Sequence, residues 1–315
     1  GATALAAGTG HACAIVGGGA VRCWGKNDRG QVGAPRDGSM HDLVMTAVEV
    51  PGVAGAVELA LGDDVSCART ATGVACWGGD VEHERGVWRA TELDGATAIA
   101  ASERWVCGIV AGRVRCASIE THEPAHLAPA VASARNLRGI AVHAVIDLDR
   151  ICVIDRDRRA ACWGHRLDQS GYFGTELKYF HGLERVRGLD GAERLVMGEL
   201  ELCAHTARGL ACHGGRVSAG ALDIALAGPR CVVSSDGAVR CTADEPGTED
   251  ATAQLEVDKL GPAVEIALGY QFACARDRAG AVRCTGSDPL AGDGRVMDRS
   301  GVPVEISIRG LGAPR

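Results

Sequence analysis

The chain has 315 residues, of which 46% are hydrophobic and only 3% are aromatic, and its formal net charge is −7. It contains no run of about 18 apolar residues, so we expect no membrane-spanning helix. The chain is too apolar to be disordered, and its acidic balance argues against binding to nucleic acid, which needs a basic face. No signal peptide precedes Gly1, so we expect a mature or trimmed chain.

A short apolar strand recurs seven times along the chain and is followed each time by a cysteine. The seven segments are 5–8, 59–62, 99–102, 144–147, 195–198, 224–227 and 266–269. Each segment ends five residues before the cysteine, or four residues before it in the sixth repeat. Such a regular spacing indicates a repeat protein in which every repeat is one structural unit.

The 14 cysteines form seven pairs whose members lie nine or ten residues apart. The pairs are Cys13 with Cys23, Cys67 with Cys76, Cys107 with Cys116, Cys152 with Cys162, Cys203 with Cys212, Cys231 with Cys241, and Cys274 with Cys284. Between partners, apolar or β-branched residues flank a turn, which is Gly17-Gly18-Gly19 in the first pair, and this predicts a β-hairpin. Because facing Cβ atoms in antiparallel strands lie about 4.5–5.5 Å apart, we predict one cross-strand disulfide per hairpin and an oxidising compartment. Seven pairs of buried free thiols in a reducing cell remain the alternative, and the spacing predicts no metal site.

A further apolar strand follows a variable segment in several repeats, for example at 47–50 and 302–306. Seven units in 315 residues average 45 residues each, which is enough for four strands. We therefore predict an all-β fold, a seven-bladed β-propeller of four-stranded antiparallel blades that forms a single domain, 1–315. The expected blades are 1–51, 52–92, 93–138, 139–187, 188–219, 220–259 and 260–315.

A straight solenoid would fit the same repeat, but the two ends of the chain favour a closed ring. Residues 310–312 followed by residues 1–8 rebuild the internal pattern of 188–198, as a ring requires, whereas a solenoid needs polar caps. Only 28 residues separate Cys203 from Cys231, which leaves little room for an outer strand in blade 5.

The first repeat also carries a longer motif. It reads Gly8-x-x-His11-x-Cys13, then Val21-Arg-Cys23-Trp24-Gly25-x-Asn27-x-x-Gly30-Gln31-Val32-Gly33. This resembles the repeat of the regulator-of-chromosome-condensation propellers, in a cysteine-containing bacterial form. The resemblance implies a seven-bladed propeller used mainly as a binding scaffold. The founder of that family is a nucleotide exchange factor for a small GTPase and binds chromatin, and a bacterial β-lactamase inhibitor is built on the same repeat. Only the scaffold motif matches, so the resemblance supplies no functional residues.

The turns between the first and second strands of the blades ring one mouth of the predicted channel, and several of them are acidic. The acids are Asp63, Asp64, Glu103, Asp147, Asp149, Glu199 and Glu201, with Arg104, Arg150 and Arg230 among them and Trp105 and Tyr270 nearby. A ring of carboxylates would focus negative potential and attract a basic partner or a cation. In the alternative interpretation these are solvated turns whose acids pair with the arginines.

Four of the six Phe and Tyr residues lie close together in the long loop after Trp163-Gly164 of blade 4. They are Tyr172, Phe173, Tyr179 and Phe180. Clustered aromatic residues are typical of interface hot spots. The alternative is that they anchor the loop and cover the outer strand.

These observations favour a binding module outside the cytoplasm, extracellular or periplasmic, that recognises a protein partner and acts as an enzyme inhibitor. The sequence shows no phosphate loop, dinucleotide fingerprint or nucleophile elbow, so an enzyme is the less favoured class. Two alternatives stay open. One is a glycan-binding propeller in which Trp105 or Tyr172 stacks on a sugar, and the other is a hydrolase or lyase that uses carboxylates such as Asp149 and Glu199. We expect a monomer that uses no cofactor or metal, binds no nucleic acid and prefers a basic partner.

Overall fold

The computed structural model describes residues 1–39, 42–79, 86–122, 127, 129–145, 148–165, 179–198, 201–213, 217–227, 230–242, 257, 260–270, 272–286 and 304–306. In these ranges the chain forms 26 β-strands and one short α-helix. The strands make seven antiparallel sheets of three or four strands, and each sheet uses strands that follow one another in the chain. The predicted all-β, seven-bladed propeller is confirmed.

In each blade the strands run outward from the channel in chain order. Blade 1 holds β1 (Ala4–Ala7), β2 (His11–Val16), β3 (Ala20–Lys26) and β4 (Leu43–Glu49), and blade 2 holds β5 (Ala56–Leu61), β6 (Val65–Thr70), β7 (Gly73–Gly78) and β8 (Trp88–Arg89). Blade 3 holds β9 (Ala96–Ala101), β10 (Trp105–Val110), β11 (Arg113–Ser118) and then α1 (Pro129–Ser133), and blade 4 holds β12 (Gly139–Val145), β13 (Leu148–Ile154), β14 (Ala160–His165) and β15 (Tyr179–Arg185). Blade 5 holds β16 (Ala192–Met197), β17 (Leu202–Thr206), β18 (Gly209–Cys212) and β19 (Val217–Ala219). Blade 6 holds β20 (Asp223–Leu226), β21 (Arg230–Val233) and β22 (Val239–Thr242), and blade 7 holds β23 (Glu265–Leu268), β24 (Phe272–Arg276), β25 (Val282–Gly286) and β26 (Val304–Ile306).

The blades close into a ring. Their first strands contact one another from blade to blade, and β1 of blade 1 contacts β23 of blade 7. At this last seam the amide of Ala2 donates a 2.7 Å hydrogen bond to the carbonyl oxygen of Gly280. An apolar cluster that includes Leu5 and Trp24 of blade 1 and Phe272 of blade 7 fills the space between the two sheets. Because each sheet packs on two neighbours, both of its faces are buried, which explains the weak polar alternation in the strands.

Every blade contains one disulfide, and together the seven disulfides use all 14 cysteines. They join Cys13 to Cys23, Cys67 to Cys76, Cys107 to Cys116, Cys152 to Cys162, Cys203 to Cys212, Cys231 to Cys241, and Cys274 to Cys284. In each blade the bonded cysteines face each other on the second and third strands. Their Cα atoms lie 3.9 to 4.1 Å apart, close to the spacing of a non-hydrogen-bonded antiparallel pair. The predicted pairing is confirmed, and seven disulfides in one chain indicate an oxidising environment.

The turn inside each hairpin determines whether its cysteines lie nine or ten residues apart. In blade 2 the hydroxyl of Thr70 donates to the carbonyl of Gly73 and closes a two-residue loop, and the cysteines lie nine apart. In blades 4 and 7 the same position holds Asp155 and Asp277. Their carboxylates accept the amides four residues later at 2.9 Å and close a longer turn, so the cysteines lie ten apart. In these three blades a side chain that caps the turn accompanies the loop length and so the spacing of the cysteines, whereas blades 1 and 3 have Val16 and Val110 at that position.

One disulfide is expected to be reduced before the others under native conditions. Thirteen of the cysteines are buried, whereas Cys241 is half-buried. Reduction needs an attacking thiolate to reach a sulfur atom, so the bond between Cys231 and Cys241 should open first. Mild dithiothreitol treatment followed by alkylation and peptide mapping would reveal the order. Simultaneous reduction of all seven bonds, or earlier reduction of a fully buried pair, would contradict this prediction.

Blade 4 differs from the sequence prediction in its first strand. In β12 it is Ala141 that lies opposite Cys152, eleven residues away, whereas in blade 1 Ala6 lies opposite Cys13, seven residues away. The strand predicted at 144–147 is therefore wrong in register. Residues 140–142 and 144–146 are both apolar enough for an inner strand, and the first stretch takes that position, with Ile140 and Ala141 buried. The first hairpin of blade 4 is consequently longer than that of blade 1 by four residues.

The outer position varies between blades. The short span of blade 5 still accommodates an outer strand, but β19 has only three residues. In blade 3 the described residues form three strands, and α1 packs on β11. Variation is thus concentrated at the periphery, while the first three strands and the disulfide are kept in every blade.

Candidate functional site

The turns between first and second strands share one geometry in five blades. The amide that follows the first strand donates to the carbonyl three residues later, from Gly8 to His11, Gly62 to Val65, Ser102 to Trp105, Gly198 to Glu201 and Gly269 to Phe272. Adjacent turns touch, because a Cβ atom on Gly8 would overlap the carbonyl oxygen of Gly62, and one on Gly62 would overlap that of Ser102. The turns at 8–10, 62–64 and 102–104, together with Tyr270, are called the rim below.

Asp64 of the rim is paired with charged and polar groups of blade 1. Its Oδ1 atom lies 3.4 Å from the Lys26 ammonium and accepts a 3.3 Å hydrogen bond from the Gln31 amide nitrogen. Burial lowers the pKa of Lys26, but the carboxylates of Asp64 and Asp28 outweigh burial and hold that pKa above its ordinary value. The first turn of blade 2 and the loop after β3 in blade 1 therefore share one face, and the charge of Asp64 is partly neutralised there.

Asp63 and Glu103 belong to a region of negative potential. Burial raises the pKa of Glu103, and the charge of Asp63 raises it further. Asp64 and Glu120 act in the same direction, and Arg104 offsets only part of the effect. Both Asp63 and Glu103 are exposed, and Asp63 accepts a 2.6 Å hydrogen bond from the Thr9 hydroxyl.

Glu120 was missed by the sequence prediction because it follows β11 and therefore lies in a loop after a third strand. The signal that could have found it is positional. The loops after third strands share the face of the first turns, and Glu120 stands two residues after the end of β11. The backbone amide of Ile119 donates to the carbonyl of Arg104 at 3.0 Å, which joins this loop to the rim.

Glu201 has a different environment. Its Oε1 atom lies 3.3 Å from Nη1 of Arg230, and both side chains are largely buried, at 14% and 10% exposure. This pair links blades 5 and 6 and fits the alternative interpretation, in which turn acids are matched by arginines. Glu201 also lies near Cys203 and Cys212, but their sulfur atoms are joined in a disulfide, so this group offers only one free ligand to a metal ion.

The two aromatic candidates near the turns, Trp105 and Tyr270, differ in how far they are exposed to solvent. Trp105 is half-buried and packs against the apolar cluster between blades 3 and 4. Tyr270 is 71% exposed, and its backbone amide donates a 2.9 Å hydrogen bond to the carbonyl of Thr9 across the seam between blades 7 and 1. Tyr270 is therefore the aromatic side chain that the rim presents to solvent.

The structure does not describe the side chains of several candidate residues. Asp147, Glu199, Tyr172 and Phe173 lie outside the described residues. For three others the structure describes the backbone, with Asp149 in the long hairpin of blade 4 and Tyr179 and Phe180 at the start of β15. Arg104 is exposed on the rim, and Arg150 is buried in β13. The rim thus brings together Asp63, Asp64, Glu103, Arg104 and Tyr270.

His11 lies beneath the rim, fully buried between blades 1 and 2. Its Nε2 atom is 2.7 Å from the hydroxyl of Ser66, which in turn donates to the carbonyl of Gln31 at 2.9 Å. Because that hydroxyl hydrogen is already used, Nε2 carries the proton and donates, and Nδ1 is left without a hydrogen-bond partner in the described part of the chain. Burial and the nearby charge of Lys26 lower the pKa of His11 to about 3, so the ring is neutral and serves as scaffold.

Comparison with known proteins agrees with this architecture. The family profile of the regulator of chromosome condensation (RCC1) repeat matches residues 2–31, which include His11 and both cysteines of blade 1. The first blade is therefore similar to an RCC1 repeat. The resemblance predicted from the sequence is confirmed, and the chain is similar to the RCC1-like propellers.

Solved structures of RCC1-like propellers match over nearly the whole chain. Human WBSCR16 matches at 15% identity over 98% of this chain and 82% of its own, with a TM-score of 0.50. Prp20p from Saccharomyces cerevisiae, which was studied for its binding to Gsp1p and histones, matches at 16% identity over 96% of this chain and 76% of its own, with a TM-score of 0.48. At such identities the likeness extends to the fold alone. Among curated protein sequences, none matches this chain. No helix within the described residues has the length and apolar character needed to cross a membrane.

Proposed function

We propose that this RCC1-like propeller is an extracellular or periplasmic protein-binding module whose rim recognises a basic segment of its partner. RCC1-like propellers are in general protein-binding modules. The seven disulfides support a location outside the cytoplasm. Inhibition of an enzyme follows from the same contact when the basic segment lies beside the partner's active site.

The observation that carries this proposal is the continuity of the rim across four blades. Tyr270 of blade 7 is hydrogen-bonded to Thr9 of blade 1, Thr9 is hydrogen-bonded to Asp63 of blade 2, and Asp63 acts electrostatically on Glu103 of blade 3. The exposed carboxylates attract positive charge, and the exposed tyrosine supplies a rigid apolar contact of the type found at interface hot spots. A segment rich in arginine or lysine fits both features.

The test is charge reversal on the rim. Changing Asp63→Lys together with Glu103→Lys should weaken binding of an arginine-rich peptide about tenfold at low salt and reduce the dependence of binding on salt concentration. The reason is that exposed charges at the edge of an interface mainly determine how fast an oppositely charged partner associates and how strongly salt slows it. Fluorescence anisotropy over a range of ionic strength measures both effects, and a neutral peptide of equal length is the ligand control.

The matched control variant is Glu49→Lys, compared with the single rim variant Asp63→Lys, because both change a single acid to lysine and so alter the net charge equally. Glu49 is an exposed acid on the outer strand β4, away from the rim, and within the described residues its carboxylate pairs with Arg22 at 3.5 Å. Equal loss of binding in the Glu49 variant would reduce the effect to net charge, and unchanged binding in the rim variant would reject the proposal. The native partner can then be sought by pull-down from the extracellular fraction, with the rim variant as the negative control.

The two alternative functions receive less support from the described residues. Trp105, one of the predicted sugar-stacking residues, is half-buried and packs against the apolar cluster between blades 3 and 4. Glycan-array binding that is lost on Tyr270→Ala would favour the lectin-like function. Turnover that is lost on changing a single carboxylate, with the fold intact, would favour the hydrolase or lyase.

A further inference from the structure

Three inner strands carry an acidic residue at the same place in the repeat. The sequences are Glu58-Leu-Ala-Leu in blade 2, Asp223-Ile-Ala-Leu in blade 6 and Glu265-Ile-Ala-Leu in blade 7. In all three the second residue after the acid lies opposite the first cysteine of the blade. The acids therefore occupy equivalent positions, although blades 2, 6 and 7 are far apart in the chain.

Each of these carboxylates binds a backbone amide of the next blade. Glu58 accepts the amide of Ile99 in blade 3 at 3.3 Å, and Asp223 accepts the amide of Ile266 in blade 7 at 2.9 Å. Glu265 lies at the equivalent place on β23, which contacts β1 of blade 1. Burial raises the pKa of its carboxyl above the ordinary value, and Arg276 and the amide of Leu5 in blade 1 offset only part of this rise. The three amides also occupy one equivalent position, one residue before the alanine that faces the cysteine.

The pairing pattern of the inner strand explains why this amide needs a partner. The backbone amide of Gly8 donates to the carbonyl of His11 and so points toward β2. Successive amides of an antiparallel strand point alternately toward and away from the neighbouring strand. The amide of Leu5, three residues earlier, therefore points away from β2, toward the free inner edge of the sheet. An inner-edge amide among packed blades costs free energy unless it is hydrogen-bonded. The carboxylate of the preceding blade supplies that bond, and we call each such contact a clasp.

Cationic partners hold the clasp residues in place. Glu58 is bound by Arg69 and Glu265 by Arg276, each at 2.6 Å and each directly across the first two strands of its own blade. Asp223 is bound by Arg194 and His205 of blade 5. Burial raises the pKa of Asp223, but the hydrogen bond from His205, the charge of Arg194 and the Ile266 amide outweigh it and hold that pKa below its ordinary value.

The clasp of Glu265 differs from the other two in where it lies. In the order of the described strands, the chain itself passes from blade 2 to blade 3 and from blade 6 to blade 7, but it does not pass from blade 7 to blade 1. All seven disulfides lie inside single blades. The seam between blades 7 and 1 is therefore held by non-covalent contacts.

We propose that Glu265 is the closure latch of the ring, which fixes β1 of blade 1 to blade 7 through the amide of Leu5. Loss of the latch releases β1, whereas loss of the equivalent Glu58 clasp is a local change, because the covalent chain keeps blades 2 and 3 together.

Hydrogen–deuterium exchange by mass spectrometry tests this directly. Glu265→Ala should lower protection about tenfold in the peptide that contains β1, and also in the peptide of β23, while the peptides of β16 and β17 keep their protection. Glu58→Ala is the matched control, since it removes the same contact at a seam that the chain crosses. It should lower protection at Ile99 and leave β1 unchanged.

Glu265→Ala leaves Arg276 without its partner, and the variant can fail to fold for that reason. A second variant keeps the test decisive in that case. Glu265→Gln retains a side-chain oxygen for the Leu5 amide but removes the charge, so protection of β1 should fall less than in the alanine variant. Unchanged β1 protection in both Glu265 variants would overturn the proposal. So would an equal loss of β1 protection in Glu58→Ala.

Discussion

Acidification from pH 7 to pH 4 is expected to remove about 3 kcal/mol from the free energy of unfolding through His11 alone. The pKa of His11 is about 3 in the folded chain, against an ordinary value of 6.5. The unfolded chain therefore binds a proton between pH 6.5 and pH 3 that the folded chain does not bind. The contribution of His11 to the free energy of unfolding is fully present above pH 6.5 and is lost as the pH falls through this window.

The structural reason is that a second proton on His11 has no place in the fold. Nε2 already donates to Ser66, and Nδ1 has no hydrogen-bond partner within the described residues. The Lys26 ammonium also opposes a positive charge at this position. A protonated His11 would thus be a buried cation between blades 1 and 2, and the Val65 backbone and the Asp28 carboxylate would compensate its charge only in part.

Urea titrations at several pH values, with the disulfides intact, measure this effect. His11→Asn should be less stable than the original chain at pH 7, and its stability should depend less on pH between 6.5 and 4. The matched control is His213→Asn in blade 5, which makes the same substitution at a half-buried histidine in another part of the ring. If the original chain and His11→Asn lose the same stability between pH 6.5 and 4, the source of the slope lies elsewhere.

A single methyl group on Gly62 is expected to destabilise the ring by about 3 kcal/mol. The Cβ atom of an alanine would overlap the carbonyl oxygen of Ser102 in the next blade, and it would also lie 3.0 Å from a Val65 methyl carbon. Both obstacles belong to packed strand ends, so blades 2 and 3 must move apart to accept the methyl group. The cost arises from this steric overlap and not from the backbone conformation of the glycine.

Gly86→Ala is the control for this prediction, because a Cβ atom there meets nothing within 4 Å. Its thermal midpoint should stay close to that of the original chain, while that of Gly62→Ala falls by several degrees. Equal midpoints for Gly62→Ala and the original chain would show that the rim adjusts freely. Blade 3 carries Ser102 at the equivalent position, and its neighbour is blade 4, whose longer hairpin does not repeat the three-residue turn.

The sequence predicted the ring, the number of blades and the disulfides because those features rest on local patterns. A hairpin with a cysteine on each strand is determined within about ten residues, so seven copies could be recognised one at a time. The register of blade 4 could not be predicted in this way. Residues 140–142 and 144–146 both satisfy the local pattern of an inner strand, and packing against blades 3 and 5 makes the choice.

The candidate site was only partly predictable for a related reason. Sequence position places Asp63, Glu103 and Tyr270 in equivalent turns, but it does not show that Asp64 meets Lys26 or that Glu201 meets Arg230. Those partners come from neighbouring blades, and they decide whether an acid keeps its charge available for a ligand. The clasps did leave a signal, an acid directly before Leu-Ala-Leu or Ile-Ala-Leu, but its meaning depends on an amide of the next blade.

The confinement of each disulfide to one hairpin has a consequence for how the protein matures. Two cysteines that are nine or ten residues apart meet as soon as their own hairpin has folded, so each disulfide can form before the later repeats have folded. Correct oxidation of each hairpin therefore needs no completed ring. Closure becomes the final event in assembly, a docking of finished blades that involves no further covalent chemistry.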